Sequence, residues 1–313
     1  MAEITAQAVK TLREKTGCGM MECKKALVET NGDLEEAVKV LREKGLSVAA
    51  KKADRIAAEG VVAVKHCDKC GKTAMVEVNA ETDFVAKNAE FQEFVDGLLM
   101  TILKNAPADL DALLETKFDG AEETVKETLT AKIAKIGENM NIRRFVLVEG
   151  AVGVYVHGKG SIGVIVKGEA PDDVAANPEY LEMLRNVAMH VAGTDVPPTY
   201  LVKEDVPAEA IEAEKAVLIA QIKNDPANAK KPDQIIEKMV SGRLNKYYQT
   251  YCLMEQEYVK DDSMSVGKYV ESVTKPLGGG KVTEFYRFEK GEGIQKREED
   301  YAAEVAKLAG TNK

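Results

Sequence analysis

Apolar positions along the chain change their period several times, and each change marks a new kind of element. From Ile4 to Gly45 they recur at helical spacing in three short segments. Thr5 is placed to cap the first, with Ile4 and Val9 as a hydrophobic staple, and Gly17-Cys18-Gly19 ends it. The second carries Met20, Cys23 and Leu27 on one face. Asp33 is placed to cap the third, with Glu36 at the capping-box position, Leu34, Ala37, Val38 and Leu41 facing inward, and Gly45 as its stop. Ser47 to Ala58, rich in Ala and Lys, reads as a connecting segment. The period then shortens: Gly60 to Lys65 and Lys72 to Asn79 alternate or run in β-branched residues around a turn, which predicts a hairpin. From about Glu90 the helical period returns, with Phe91, Phe94, Val95, Leu98, Leu99 and Ile102 on one stripe.

The pattern then repeats. Sliding the sequence by 89 residues pairs Met75-Val76 with Val164-Ile165 and gives identities of Asp83 with Asp172, Val85 with Val174, Ala86 with Ala175 and Asn88 with Asn177. The same offset pairs Glu90 with Glu179, Phe91 with Tyr180, Glu93 with Glu182 and Met100 with Met189. Upstream, Glu59-Gly60 matches Glu149-Gly150 at an offset of 90. A duplicated unit of strands followed by a helix predicts an α+β fold with two related subdomains.

The second copy is interrupted. Val206 to Lys223 and Pro232 to Tyr247 are charged helical patterns separated by Asn224-Asp225-Pro226-Ala227-Asn228, a turn composition. Ile211, Val217, Leu218 and Ile222 form one narrow apolar seam, and Ile235, Ile236, Met239 and Leu244 the other, as expected of an antiparallel helical hairpin. Ser265 to Val273 then reads as a helix, Gly278-Gly279-Gly280 as a turn, Lys281 to Phe288 as a strand and Glu298 to Leu308 as a final amphipathic helix.

Composition narrows the function. With 313 residues, 45% hydrophobic and 30% charged, the chain has the make-up of a soluble protein of two to three domains. It shows no apolar run long enough to span a membrane and no secretory pattern at Met1-Ala2-Glu3-Ile4, so the expectation is a cytoplasmic protein without a membrane partner. Five scattered cysteines then read as reduced thiols. A net charge of −9 argues against nucleic acid as partner. The first 60 residues carry 11 Lys or Arg against 10 Asp or Glu, so the rest, at 32 against 42, holds the acidity and the first segment reads as a separate module.

The chain is poor in catalytic equipment. Cys67-Asp68-Lys69-Cys70, beside His66, is half of a zinc knuckle, but a structural site needs four ligands and no second pair stands at comparable spacing. Cys67 and Cys70 are therefore weak metal candidates, a hairpin turn is the simpler reading, and no cofactor is expected. Gly71-Lys72-Thr73 and Gly278-Gly279-Gly280-Lys281 do not open helices, as a phosphate loop must. His66, His157 and His190 form no evident triad, and His190 reads as a core or groove residue. There remains Asp83-Phe84. The second copy has Asp172-Asp173 there, so the position of Phe84 tolerates a charge and is expected to face solvent. An exposed aromatic beside a carboxylate has the character of an interface anchor, against the alternative that Phe84 packs under the helical hairpin or the first module.

Several stretches carry a resemblance. Val9 to Leu27 (VKTLREKTGCGMMECKKAL) and Thr82 to Asn88 (TDFVAKN) resemble the two signatures of the elongation factor Ts family, and similarity continues through Ala134 to Arg144, His157-Gly158, Met189 to Ala192 and Arg287 to Ile294. The resemblance implies a guanine nucleotide exchange factor for elongation factor Tu, a protein that is not an enzyme and takes no cofactor. It also implies a ubiquitin-associated-like (UBA-like) three-helix module over 1–54, core subdomains over 55–141 and over 142–202 with 248–291, an inserted antiparallel coiled coil over 203–247 and a C-terminal module over 292–313. By position, it places Asp83 and Phe84, with Thr82 and Val85, beside the partner's magnesium and nucleotide site. Lys10, Arg13, Met20 and Met21 fall where the N-terminal module touches the partner's GTPase domain, Ile136-Gly137 on a contact loop, and His157 on a histidine of the core that also meets the partner. A homodimer within a larger complex is compatible with it. Other readings are a zinc or redox protein built on Cys67 and Cys70, and a helical scaffold without exchange activity.

Overall fold

The computed structural model describes residues 4–16, 18–225 and 231–295. The final helix expected over Glu298 to Leu308, and with it most of the C-terminal module, lies outside the described residues. The chain divides into two compact units, one of Met1–Ala63, Ala74–Phe145 and Glu289–Lys313, the other of Val64–Thr73 and Val146–Phe288. Each is a mixture of helices and small antiparallel sheet, and the fold is α+β. No described helix is long and apolar enough to cross a membrane.

The first unit opens with α1 (Ala6–Thr16), α2 (Met20–Glu29) and α3 (Leu34–Lys52). Thr5 caps α1 through the Ala8 N–H, and Asp33 caps α3 through the Glu35 and Glu36 N–H groups. Val9, Leu12, Cys23, Ala26, Leu27, Ala37 and Leu41 make the small core, with Ile4, Leu34 and Val38 against it. Two expectations fail here. Met20 does not share the buried face of Cys23 and Leu27 but stands 60% exposed at the first position of its helix. Gly45 does not stop α3, which runs on to Lys52 through the segment expected to be a connector. The glycine is buried because α3 packs there on α7 (Val125–Ile136): a Cβ at Gly45 would already touch Thr130 and Ala134. Arg42 pairs with Glu123 and Glu127 along the same contact.

Strands β1 (Glu59–Cys67) and β2 (Lys72–Ala80) form the expected hairpin and are joined on the β2 side by β3 (Met140–Glu149). Between β2 and α7 come α4 (Asp83–Ala86), α5 (Ala89–Asn105) and α6 (Leu110–Glu115). Every residue of the predicted α5 stripe is buried. Inside this unit Glu77, fully buried on β2, accepts hydrogen bonds from Arg143 (3.1 Å), Arg144 (2.7 Å), Asn79 (3.2 Å) and the backbone N–H of Gly291 (2.9 Å). Gly291 has φ +69°, and a Cβ there would lie 2.2 Å from the Ala58 carbonyl oxygen, so only glycine brings the amide that close.

The second unit repeats the plan. Strands β4 (Ala151–His157) and β5 (Ile162–Glu169) pair antiparallel from Ala151 opposite Gly168 to His157 opposite Ile162. Then follow α8 (Asp172–Ala175) and α9 (Pro178–Gly193), the counterparts of α4 and α5. Helix α9 lies so close on the sheet that a Cβ at Gly153 would fall 2.1 Å from the Leu184 carbonyl carbon. The insertion consists of α10 (Ala208–Asn224) and α11 (Asp233–Tyr251). Its seam holds Leu218, Ile222, Ile236 and Val240 with Met239, whereas Val217 and Ile235, expected in it, are exposed. The small hairpin β6 (Glu257–Tyr258) and β7 (Asp261–Ser265) leads to α12 (Val266–Leu277), and β8 (Lys281–Glu289) completes the sheet beside β5.

The duplication extends beyond what sliding the sequence reveals. Helices α7 and α12 are each 12 residues long, with side-chain N-caps from Thr124 and Ser265 and left-handed glycines Gly137 and Gly278 at their ends. Each glycine is followed by the strand that closes its sheet, β3 or β8.

Candidate functional site

The stretch after β2 is not an open turn but the one-turn helix α4. Thr82 caps it, its hydroxyl accepting from the Val85 N–H at 3.3 Å. The Lys87 N–H returns to the carbonyls of Asp83 (3.2 Å) and Phe84 (3.3 Å), and Asn88 caps α5 through the Glu90 N–H at 2.8 Å. Four residues cannot hold a helix by backbone bonds alone. Val85 and Ala86 are buried and fasten the turn to the body. Phe84 points the other way and is 80% exposed, more than any other large apolar residue described.

The turn is braced by the loop after α7. Glu138 takes the Thr82 hydroxyl at 2.7 Å and the Thr82 N–H at 3.0 Å. Next to it, the Asn139 N–H donates to the Glu81 carboxylate at 2.5 Å, and the Asn139 amide donates to the Arg55 carbonyl at 2.7 Å and the Ala53 carbonyl at 3.3 Å. Lys52, at the end of α3, donates to the Gly137 carbonyl. Three chain segments far apart in sequence thus meet at Gly137-Glu138-Asn139 and fix the turn that carries Asp83 and Phe84. The structure therefore joins Thr82 to the Ile136-Gly137 loop. It spends the Thr82 side chain on that joint and buries Val85, so Asp83 and Phe84 are the residues of the group that remain presented.

Electrostatically the turn is self-contained. Lys87 donates to Asp83 at 2.5 Å, one helical turn on, and this bond holds the Asp83 carboxyl below the usual carboxylate range, with Lys290 adding a smaller push in the same direction. Burial would raise the Glu90 carboxyl at the start of α5, but hydrogen bonds from Lys132 and Lys135 outweigh it and leave Glu90 lowered. Those two pairs tie α5 to α7 beside the braced loop.

The remaining candidates lie elsewhere. Lys10 and Arg13 are exposed on α1, Lys10 in a 3.8 Å pair with Glu14, and Met20 and Met21 stand 60% and 65% exposed at the start of α2. All four belong to the first unit. In the second unit His157 is exposed at the end of β4, its Nδ1 3.4 Å from the Tyr155 hydroxyl. His190 is buried: it accepts the Val259 N–H at Nδ1 (3.1 Å) and shares Nε2 with Gln256 Oε1 (3.0 Å), which fixes a neutral ring with the proton on Nε2. Among the described residues no group of three or more His, Cys, Asp or Glu is placed to hold a metal ion. Glu138 and Asn139 escaped the sequence reading, although they lie inside the Ala134 to Arg144 stretch, because their partners are more than fifty residues away.

The geometry is that of a braced turn presenting an exposed aromatic and an ion-paired carboxylate on an α+β scaffold. The model of the family described as Elongation factor TS matches residues 81–292. Over nearly the whole chain the sequence is similar to Elongation factor Ts of Syntrophotalea carbinolica, at 49% identity across 98% of this chain and 99% of that protein. Elongation factor Ts of Clostridium perfringens is 47% identical (98% and 99% covered), and that of Clostridium kluyveri 48% (97% and 98%). The chain belongs to the elongation factor Ts family.

Proposed function

We propose that this protein is the guanine nucleotide exchange factor for elongation factor Tu in translation elongation, and that it works by inserting Asp83-Phe84 beside the partner's magnesium and nucleotide site. The observation that carries the site is Phe84: an 80% exposed aromatic on a turn held by a capping threonine, a buried anchor and a carboxylate brace. Bound nucleotide and magnesium hold a GTPase's switch elements in one arrangement. A protein that binds better to the disturbed arrangement weakens nucleotide binding by the factor by which nucleotide weakens its own binding. No bond is made or broken, so the role asks for no acid, base or nucleophile. Phe84 supplies apolar area that is satisfied only against the partner, and a rigid base is needed so that this burial displaces a partner element without reordering the turn itself. Asp83 offers its carboxylate to polar groups near the metal site, exchanging Lys87 for a partner group.

The wider organisation follows the same reading. Helices α1 to α3 act as a UBA-like module whose Lys10, Arg13, Met20 and Met21 touch the partner's GTPase domain, with Ile136-Gly137 adding contacts. Helices α10 and α11 act as an antiparallel coiled coil, His157 meets a further domain of the partner, and the protein works in the cytoplasm. Release of a fluorescent GDP from elongation factor Tu tests this: the chain at catalytic concentration should speed release by orders of magnitude. Association without faster release would leave a scaffold and overturn the proposal.

A further inference from the structure

The tip of the β1–β2 hairpin carries two thiols that the exchange reading leaves unused. Cys67 ends β1, and the N–H of Cys70 donates to the Cys67 carbonyl at 3.2 Å while that of Gly71 donates to the same oxygen at 2.9 Å. A turn closed from residue i to i+3 holds its outer Cα atoms within about 7 Å. That reaches the roughly 4.4 to 6.8 Å over which a disulfide spans two Cα atoms. The Cys70 thiol donates to the Cys67 carbonyl oxygen at 3.7 Å, so both cysteines lie on the same short turn. Gly71, at φ +62°, carries the chain on into β2, and its carbonyl accepts the Gly150 N–H at 3.1 Å, while Lys72 pairs with Glu149 at 2.8 Å. The turn is thus held from behind while its thiol face stays accessible, Cys70 being exposed and Cys67 half-buried.

The other cysteines contrast with this pair. Cys23 and Cys252 are buried, and burial pushes the Cys252 thiol up to about 11. Burial likewise raises Cys18. At the hairpin the bond from Cys70 lowers the Cys67 thiol, and the same bond raises Cys70. A thiolate is the attacking species in exchange, and of the two it is Cys67 whose thiolate form is favoured, while Cys70 is the more exposed. His66, which precedes the pair, has Nδ1 engaged with the Thr73 hydroxyl at 2.7 Å and Nε2 3.6 Å from the Asp68 carboxylate.

We propose that Cys67 and Cys70 form a reversible dithiol–disulfide pair that exchanges with low-molecular-weight disulfides. The Cys67 thiolate attacks one sulfur of the small disulfide, the S–S bond breaks, and one small thiolate leaves and takes up the proton that Cys67 gave to solvent. Cys70 then loses its proton and attacks the Cys67 sulfur, forming the internal S–S bond and expelling the second small thiolate, which is protonated. The protein dithiol loses two electrons and two protons, and the small disulfide becomes two thiols.

The test incubates the full-length protein in glutathione buffers of increasing oxidised fraction, alkylates the remaining thiols and maps peptides by mass spectrometry without reduction. The expected product is one peptide joined between Cys67 and Cys70 and lighter by two hydrogens, with Cys18, Cys23 and Cys252 alkylated. Cys67→Ser should abolish closure and leave at most a glutathione adduct on Cys70. A stable adduct on the wild-type pair without closure, preferential joining of Cys18 to Cys23, or a stoichiometric zinc that co-purifies and blocks exchange would each overturn the proposal.

Discussion

Replacing Phe84 by alanine separates the work of the presented ring from the stability of the turn that presents it. An aromatic side chain buries about 150 to 250 Å² when fully enclosed. With Phe84 80% exposed in the free protein, most of that area is still available for burial against a partner. At about 25 cal/mol per Å² the gross gain reaches several kcal/mol, and a working figure after the alanine methyl and ordering losses is about 2 to 3 kcal/mol. At about 1.36 kcal/mol per factor of ten, Phe84→Ala should lower the second-order rate constant for GDP release by roughly 30- to 160-fold. Folding stability should change by less than about 0.5 kcal/mol, because the ring makes little contact in the free protein and the anchors Val85 and Ala86 remain. Stopped-flow release of fluorescent GDP gives the first quantity and urea unfolding the second. Exchange within twofold of wild type would refute the wedge, and a large loss of stability would show that Phe84 serves the fold.

Two further predictions concern the scaffold. Glu77→Ala leaves Arg143 and Arg144 without their buried carboxylate and the Gly291 amide without its acceptor, so the unfolding free energy should fall by about 3 to 5 kcal/mol in urea titrations; a loss under about 1 kcal/mol would refute the clamp. Burial lowers the His190 pKa from its ordinary value of about 6.5, so the folded protein resists protonation there. Stability should be intact above about pH 6.5 and decline as pH falls below it towards the lowered folded value, since the unfolded chain then binds the extra proton. Comparing unfolding at pH 7 and pH 5.5, His190→Gln should show a shallower decline than wild type, and equal slopes would refute the assignment.

Elements whose partners are near in sequence were legible, and those fixed by distant contacts were not. The Asp33 cap, the α5 stripe and both hairpins follow from local spacing, and the structure has them. Gly45 looked like a helix end because glycine usually is one. It lies inside α3, where it packs against α7, some eighty residues on, closely enough that a Cβ would touch Thr130 and Ala134. The expected hairpin seam held Leu218, Ile222, Ile236 and Met239 correctly but also took in Val217 and Ile235, which satisfy the same apolar pattern as their buried neighbours and are exposed. The repeat was visible up to α9 and then hidden by the inserted helices, which break the constant offset before α12 and β8. At the candidate site the exposure of Phe84 followed from the Asp173 of the second copy, but nothing local announced Glu138, whose two bonds to Thr82 cross 56 residues.

The clamp on Glu77 also sets a schedule for synthesis. Its carboxylate is on β2, but the amide of Gly291 that completes its shell is 214 residues further along the chain. At translation speeds of about 5 to 20 residues per second, that separation corresponds to roughly 10 to 40 s. The second sheet waits as well, because β5 gains its outer neighbour only when β8 has been made. A nascent chain therefore carries an incompletely satisfied carboxylate and an unpaired strand edge until its last stretch emerges, the interval in which a holding chaperone would find its binding sites. A ribosome stalled before residue 289 should display both to such a partner, and the full chain released from the ribosome should display neither.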